Sequence, residues 1–297
     1  MKKVLWIMES LDHYRIPLFK DLSNHFKLTI SHNSELDINN FSQKKLFTQS
    51  YWKFKFYRNL NIKDYDVVIF PFDLKVLNLY AFWKYKNIRV GVFGIGVRAS
   101  YENNYDSSIL DFLVRLLILK KINFGIFYDK YPKIKFTGMG VDPLKLFVAQ
   151  NTISSDQKFN LETKTYTNIL FVGTLYKQKN VFQLIEAYKI LKDKNINLPN
   201  LDIIGDGPQK KKISLCVSNN NLMDKIKLHG EVIDEKELLK FYTNARVVIS
   251  PAQAGLSVLQ SFSYATGFVT SEQAKTGGEK FNIIEGVNGD FFDGSTI

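Results

Sequence analysis

The feature that most constrains this chain is an alternation, repeated twice, of short apolar runs with segments of helical period. A short apolar run bounded by turn residues predicts a buried strand, and apolar residues three or four apart predict one face of a helix. In the first half the predicted strands are Val4–Met8, Lys27–His32, Tyr51–Tyr57, Asp66–Phe70, Ile88–Phe93, Phe124–Tyr128 and Leu146–Gln150. The predicted helices there are Ile16–Phe26, Leu74–Lys86 and Ser107–Asn123. Repeated β–α units indicate a parallel sheet with helices on both faces.

The same alternation restarts after a polar stretch, Asn151–Thr167, which is the best linker candidate. The strands predicted beyond it are Ile169–Val172, Leu201–Ile204, Ile226–His229, Val247–Ser250 and Phe268–Ser271. The helices predicted there are Val181–Lys192, Gln209–Ser218, Lys236–Ala245 and Leu256–Ala265. The sequence therefore predicts two doubly wound α/β domains, 1–155 and 156–297, with ligands at the carboxyl ends of the strands.

Charge is divided unequally between these two halves. Residues 1–150 contain 23 Lys and Arg against 13 Asp and Glu, whereas residues 151–297 contain 17 against 16. Such a step indicates two bodies with different partners. Cys216 is the only cysteine, which excludes an intrachain disulfide. The longest apolar stretch, Ile109–Leu119, is too short to span a bilayer, and a cytoplasmic location is expected.

Three strand ends in the second half carry turns suited to an anion. Gly173 opens the turn after the strand Ile169–Val172, and Lys179 stands where the next helix begins. Free N–H groups at a helix start favour phosphate, and a lysine supplies a point charge. The alternative is an ordinary loop with solvated lysines.

The other two turns are also rich in glycine. Gly205-Asp206-Gly207-Pro208 follows the second strand, and its glycines allow either close approach of a ligand or simply a tight turn. Gly255 and Leu256 precede a helix in which Gln260 lies about one turn inside. Gln260 could hydrogen-bond a ribose or lie on the surface.

The motifs of the second half follow one another as in a known family. In order they are FVGTLYKQKNVFQLIEAY, LDIIGDGP, IKLHGEV and ISPAQAGLSVLQSFSYATGFVTSEQAKTGGEKFNIIEGVNGDFF. Over residues 168–292 they resemble the nucleotide-sugar domain of family 4 glycosyltransferases with the GT-B fold, as found in bacterial polysaccharide synthesis. Weaker similarity covers YRIPLF, VFGIGVRASY and LKLFVAQNT in the first half. The resemblance implies two Rossmann-like domains facing across a cleft, and a second domain that is C-terminally short.

This resemblance also implies retaining transfer of a sugar from a nucleoside-diphosphate sugar to a glycan or polyprenyl-diphosphate-linked acceptor, without a metal or cofactor. Lys179 and Glu279 are the catalytic residues that it implies, Lys179 at the diphosphate and Glu279 at the sugar. The residues expected to bind the nucleotide sugar are Gly173, Thr174, Lys179, Gly205, Asp206, Gly207, Gly255, Leu256 and Gln260.

Four positions depart from the family pattern. Thr174 replaces the Arg that usually meets the diphosphate, and the two paired glutamates fall on Ala252 and Gln260. A His common in the first domain falls on Ile95. A non-catalytic homologue that binds a sugar nucleotide is therefore the alternative function.

The first half supplies the candidate acceptor site. His13, a third candidate catalytic residue, could transfer a proton or merely cap a helix, since histidine titrates near neutrality. Arg15, Arg98 and Tyr101 are expected to bind the acceptor.

The basic first half raises two further questions of partner. Ile109–Ile122 reads either as a basic amphipathic helix at a membrane surface or as a core helix, which leaves peripheral attachment to the inner face of the plasma membrane open. YWKFKFYR interleaves aromatic and basic residues, as single-stranded nucleic-acid sites do, but alternation explains it as a half-buried strand with Trp52, Phe54 and Phe56 inside. No nucleic-acid docking motif is present, so nucleic-acid binding ranks lowest.

Overall fold

The computed structural model describes residues 1–35, 38–84, 87–99, 105–153 and 159–294. They form two compact units, of which unit 1 holds the described residues up to 153 and unit 2 holds those from 159 onward. Each unit is built on one parallel sheet. Ala149–Ile153 and the described residues from 159 to 167 contain no strand or α-helix, and residues 154–158 of the predicted linker lie outside the described part.

Unit 1 has a seven-stranded parallel sheet and a separate two-stranded hairpin. Its strands are β1 (Lys3–Ile7), β2 (Lys27–His32), β3 (Ser42–Lys45), β4 (Phe47–Tyr51), β5 (Phe54–Arg58), β6 (Val67–Pro71), β7 (Arg89–Gly94), β8 (Phe124–Phe127) and β9 (Leu146–Val148). Its α-helices are α1 (Ile16–His25), α2 (Ile109–Lys121) and α3 (Lys130–Gly138). The strand order is β3-β2-β1-β6-β7-β8-β9, with β4 and β5 paired antiparallel outside it.

Helices cover both faces of this sheet. Phe19 of α1 packs in one core with Trp6 and Ile30, whereas Leu116 of α2 packs with Leu5 and other residues of the opposite face. The faces differ because the chain turns one way from β1 to β2 and the other way from β6 onward. The turning point is between β1 and β6, where a doubly wound domain opens a crevice at the carboxyl ends of its strands.

Unit 2 repeats this architecture with six parallel strands in the order β12-β11-β10-β13-β14-β15. The strands are β10 (Asn168–Val172), β11 (Asn200–Ile204), β12 (Ile226–Gly230), β13 (Ala245–Ser250), β14 (Gly267–Ser271) and β15 (Gly289–Phe292). The helices are α4 (Val181–Asp193), α5 (Lys210–Asn219), α6 (Glu235–Asn244) and α7 (Leu256–Ser263). Here the direction reverses between β10 and β13. The predicted two-domain α/β class is confirmed.

The predicted strand Tyr51–Tyr57 is wrong. The segment is the turn and second strand of the β4–β5 hairpin, and Trp52 has a left-handed φ of 53° at the turn. The expected burial is also reversed, since Tyr57 is buried while Trp52 is 85% exposed and Phe54 and Phe56 are exposed. Alternation alone leaves the buried face undecided, and Asn78 decides it by exchanging two hydrogen bonds with the Tyr57 backbone.

The predicted helix Leu74–Lys86 is likewise wrong. The described residues form a 3-10 helix, Leu77–Lys84, interrupted at Ala81, and residues 85–86 lie outside the described part. Conversely, α3 was not predicted because Pro132 and three lysines mask its weak apolar period. One face of α2 is buried in the core, as the core-helix interpretation predicts, and another face is exposed, so a membrane contact of α2 stays a prediction.

Candidate functional site

The carboxyl edge of the unit 2 sheet brings four loops together. Because all six strands are parallel, the turns after β10, β11, β13 and β14 lie at one edge of the sheet. The change of direction between β10 and β13 places this edge at a topological switch point, where doubly wound domains bind ligands. Most of the residues predicted to bind a nucleotide sugar lie in these loops.

The turns after β10 and β11 are in direct backbone contact. Gly173 N donates to Ile204 O at 3.0 Å, and Leu175 N donates to Asp206 O at 2.8 Å. Gly205 has a φ of +141°, and a Cβ added there would lie 2.0 Å from Gly173 O. Two glycine turns can approach this closely only without side chains, so the pair keeps the edge open.

Lys179 is the buried cation of this edge. It ends the 3-10 helix Lys177–Lys179 and is only 8% exposed. A Cβ at Gly173 would lie 3.3 Å from its Cε and 3.4 Å from its Nζ, so the ammonium group lies against the first glycine turn. Desolvation lowers the pKa of Lys179 to about 8. Among the described residues no carboxylate lies within salt-bridge distance of Nζ, which leaves a buried charge suited to an incoming anion.

The turn after β13 opens α7. Gly255 precedes the helix, no side chain caps its N-terminus, and a Cβ added at Gly255 would meet nothing within 4 Å. Leu256 is therefore the first residue of a helix whose initial N–H groups are available to an anion. Gln260 lies one turn further on, and its Oε1 accepts a hydrogen bond from the buried Tyr242 hydroxyl at 3.4 Å.

Gln253 was missed by the sequence interpretation. It is 3% exposed, and its Oε1 accepts a hydrogen bond from the Tyr176 hydroxyl at 2.5 Å, which joins the β10 and β13 loops. In the described part of the chain, Gln253 Nε2 and Ser257 Oγ are buried without a hydrogen-bond partner. Buried polar groups are normally satisfied, so both suit a ligand or an ordered water. The only sequence signal was a polar residue shortly after the strand.

Glu279 belongs to the loop after β14. It is 6% exposed and begins a short 3-10 helix that packs against α7. Its Oε2 accepts hydrogen bonds from Gly277 N at 3.1 Å and from Thr276 Oγ1 at 3.5 Å. The loop is tied to its neighbour, since Ala254 N donates to Lys275 O at 2.9 Å. Glu279 is thus held beside the α7 N-terminus.

Two of the residues predicted to bind the nucleotide sugar have exposed side chains. One of them is Thr174. Asp206 is exposed and closes its own turn, accepting from Gly207 N at 2.7 Å and from Lys210 Nζ at 2.5 Å. The Lys210 ammonium holds the pKa of Asp206 below its usual value. The Asp206 side chain therefore shapes the turn.

Unit 1 has a cavity of about 250 Å³ at the carboxyl edge of its own sheet. It lies at the switch point, lined by residues that follow β1 and β6 and by Phe93 and Tyr128. Arg15 lines this cavity, and its guanidinium donates to Tyr128 Oη at 2.7 Å and to Tyr14 Oη at 3.0 Å. The same guanidinium lies 5.3 Å from the centre of the Phe93 ring. Arg15 therefore lies at the carboxyl edge of this sheet, and its contact with an acceptor stays a prediction.

Glu9 supplies the acidic wall of this cavity. Its Oε1 accepts hydrogen bonds from Lys55 Nζ at 2.6 Å and from Tyr57 Oη at 3.1 Å. Both partners belong to β5, so the hairpin is fastened to the rim of the cavity. This contact was not predicted, because nothing local links Glu9 to a segment almost fifty residues away.

The other predicted residues of unit 1 that the structure describes, His13 and Arg98, do not line this cavity. His13 is exposed and contacts Tyr14 edge to face, outside the cavity lining. Arg98 is exposed, with its Nε 3.7 Å from Asp111 Oδ2 on α2. Tyr101 lies outside the described residues.

Neither a metal-binding cluster nor a membrane-spanning helix is found among the described residues. No three His, Cys, Asp or Glu side chains are grouped so that they could hold a metal ion in those ranges. Within the same ranges, no helix has the length and apolar character needed to cross a membrane.

Comparison with known proteins agrees with this geometry. Residues 153–296 match the family described as glycosyl transferases group 1. No curated protein sequence matches the chain.

Three solved structures are similar over nearly the whole chain. Anabaena Alr3699/HepE in complex with UDP has a TM-score of 0.66 at 13% identity, covering 98% of this chain and 85% of its own. The lipopolysaccharide outer core galactosyltransferase WaaB has a TM-score of 0.66 at 13% identity, covering 99% and 87%. A glycosyltransferase from Rickettsia africae has a TM-score of 0.66 at 13% identity, covering 98% and 84%. The predicted GT-B fold is confirmed.

Proposed function

We propose that this protein is a retaining glycosyltransferase of family 4 that moves a sugar from a nucleoside-diphosphate sugar to a glycan or lipid-linked acceptor. The observation that carries the proposal is Lys179, a buried ammonium group against the Gly173 turn with no carboxylate partner among the described residues. An unpaired buried charge is costly, and a diphosphate would supply its counterion. The match of residues 153–296 to glycosyl transferases group 1 supports the same function, as do the UDP and UDP-glucose complexes of HepE.

Unit 2 is the donor domain of this proposal. Lys179 and the N–H group of Leu256 at the start of α7 bind the diphosphate, with Gly173, Gly205 and Gly207 allowing its close approach. Gln260 binds the ribose through its amide, and Glu279 accepts hydrogen bonds from hydroxyls of the donor sugar. Thr174 and Asp206 contribute backbone groups of their turns.

The reaction exchanges one bond of the anomeric carbon for another. The bond from that carbon to the diphosphate oxygen breaks as a bond to the acceptor oxygen forms on the same face. The acceptor proton passes to the leaving diphosphate, so no side-chain base is required, and His13, which does not line the unit 1 cavity, has no part in this step. Lys179 stabilises the charge that develops on the diphosphate, which is the largest contribution expected of the protein. The reaction as proposed needs no metal or cofactor.

Unit 1 is the acceptor domain of this proposal. Its cavity offers a cation at Arg15 and a carboxylate at Glu9, a combination suited to hydroxyl groups and to a phosphate-bearing acceptor. Arg98 and Tyr101 would contact a longer acceptor. We place the enzyme in cell-surface polysaccharide synthesis on the cytoplasmic side, with peripheral attachment to the membrane through this basic unit. Nucleic acid is not a partner in this proposal.

The test is a screen of UDP-, GDP- and dTDP-sugars, read both as release of the nucleoside diphosphate and as a shift in Tm. Release from one donor, accelerated by a glycan acceptor, would support transfer. If no donor shifts the Tm and none is cleaved, the proposal is wrong.

A second candidate, a non-catalytic protein that binds a sugar nucleotide, is favoured by two positions. Ala252 offers no carboxylate in the β13 turn, and the Oε1 atom of Gln260 already accepts from Tyr242. A donor that stabilises the fold without being cleaved under any acceptor condition would select this candidate.

A further inference from the structure

One side of α2 is an exposed apolar stripe, on which Leu113 is 44% exposed. Leu110, Leu113 and Leu117 are spaced by three and four residues, so they lie on one helix face. Leu110 is 76% exposed and Leu117 is 62% exposed. Lys120 and Lys121 continue the same face for one more turn and are exposed. The buried face of α2 is a different one, formed by Leu116 and Leu119 among others.

The hairpin presents a second exposed apolar surface. Residues paired directly across an antiparallel ladder lie on one face, and the pairs Tyr51–Phe54 and Gln49–Phe56 place three aromatic rings together. All three rings are exposed, and Trp52 at the turn is 85% exposed. A buried aromatic ring normally stabilises a protein core strongly. Four exposed aromatic rings on one hairpin are therefore unusual.

Both surfaces belong to the same layer of unit 1. Tyr57 lies on the inward face of the hairpin and is buried in the same core cluster as Leu116 and Leu119 of α2. Both elements therefore contribute to the core on one side of the sheet, and each presents its exposed side away from that core. We call Tyr51, Trp52, Phe54 and Phe56 of the hairpin, together with Ile109, Leu110, Leu113 and Leu117 of α2, the docking face.

The charge around the docking face is basic. Lys53 and Arg58 border the aromatic residues, and Lys120 and Lys121 end the stripe, all of them exposed. The acidic residue of α2 is Asp111. Its Oδ2 lies 3.7 Å from Nε of Arg98, so a cation offsets its charge. Residues 1–150 carry ten more basic than acidic side chains, by the counts of 23 and 13. Exposed aromatic rings beside lysines match the interface of a bilayer with anionic lipids.

We propose that the docking face binds the surface of an anionic lipid bilayer, with the leucine stripe and the hairpin tip entering the headgroup boundary. The biological setting rests on the peripheral attachment in the proposed function, whereas the binding itself does not depend on sugar transfer. A membrane-bound unit 1 would meet a lipid-linked acceptor at the surface that carries it.

The test is co-sedimentation of the full chain with phosphatidylcholine vesicles, with and without phosphatidylglycerol. Three variants probe the docking face: Leu113→Ser with Leu117→Ser, Trp52→Ser with Phe54→Ser, and Lys120→Gln with Lys121→Gln. The matched control is Leu215→Ser with Ile233→Ser in unit 2, which are 62% and 80% exposed. Since the altered residues of the first two variants are at least partly exposed, thermal unfolding is expected to stay close to that of the unmodified protein.

The unmodified chain is expected to bind anionic vesicles, more weakly at high salt, with the control unchanged. Each variant is expected to lower the partition coefficient by about tenfold. Brominated lipid should quench tryptophan fluorescence, and Trp52→Phe should reduce that quenching while keeping vesicle binding.

Three outcomes would overturn the proposal: no binding to anionic vesicles, binding that all three variants retain, or a dimer that the leucine variant disrupts without any vesicle binding. The last would assign the face to a second copy of the chain. The Tm shift with sugar nucleotides is measured separately, so vesicle binding without any donor binding would refute the proposed function alone.

Discussion

Replacing Lys179 with methionine should stabilise the fold and remove donor binding at the same time. Methionine keeps the apolar stem that packs against Gly173 and removes the ammonium group. The pKa of Lys179 is lowered from 10.5 to about 8 by desolvation. That difference in pKa corresponds to a cost of about 3 kcal/mol for burying the charged ammonium group in the folded protein.

The pH dependence of this cost has a definite sign. Below pH 8 the lysine is protonated in the folded and unfolded chains, and the whole penalty is present. Between pH 8 and 10.5 the folded chain binds fewer protons than the unfolded chain, so the penalty disappears as pH rises. The advantage of Lys179→Met over the unmodified protein should therefore be greatest at neutral pH and shrink above pH 8.

The assay is thermal unfolding from pH 6.5 to 9.5, with and without UDP, GDP or dTDP. At pH 7 we expect Lys179→Met to gain about 1–3 kcal/mol, or roughly 3–10 °C in Tm. The nucleotide that stabilises the unmodified protein should no longer shift the variant. For the unmodified protein, affinity should fall by up to about tenfold per pH unit above 8, with proton uptake on binding.

Lys177→Met is the matched control, because Lys177 is exposed on the same short helix. It should change neither the Tm nor the nucleotide shift appreciably. The reasoning about Lys179 would be refuted if Lys179→Met unfolded at a lower temperature, or if it bound the nucleotide as tightly as the unmodified protein.

Three further substitutions test the geometry of the two edges. Gly205→Ala forces a Cβ to 2.0 Å from a backbone oxygen at a φ of +141° and should cost more than about 2 kcal/mol in urea unfolding; Gly138→Ala, with open space around it, should cost almost nothing. Tyr176→Phe loses the hydrogen bond to Gln253 and should cost about 1 kcal/mol and several-fold in donor affinity, by calorimetry; unchanged affinity would place this bond outside the donor site. Arg15→Lys cannot reach both tyrosine hydroxyls and should raise the KM for acceptor several-fold while leaving donor affinity constant; a change in donor affinity alone would contradict the assignment.

Prediction from the sequence worked best where the apolar pattern had one structural meaning. The run LDII becomes β11, and the helical spacing of VFQLIEAYKILK becomes α4, each within one residue of the expected bounds. Glycine turns after these strands were equally readable, since only glycine tolerates φ values such as the +152° at Gly173.

Prediction was wrong where a pattern has two solutions. An alternating run such as YWKFKFY can be one strand or a turn and a strand, and either of its faces can be buried. Contacts with Asn78 and Glu9 select the observed hairpin, and neither is adjacent in sequence.

The candidate site shows the same division. Gly173 and Lys179 were candidates because they follow a predicted strand and precede a predicted helix, whereas Glu279 was a candidate only through the family resemblance. The importance of Gln253 could not be predicted from the sequence, since a glutamine shortly after a strand has no local signature. Its burial follows from Tyr176 reaching across the switch point between β10 and β13.

The sequence by itself determined the two α/β units, most of their elements and the residue types available at each strand end. These depend on hydrophobic period and on backbone freedom, which are properties of neighbouring residues. Only the tertiary structure decided that Lys179 is a buried cation, that Arg15 is held by two tyrosines, and that α2 is apolar on both sides. Burial, pKa and exposed surface depend on which distant segments exclude water from a side chain, and no local pattern contains that information.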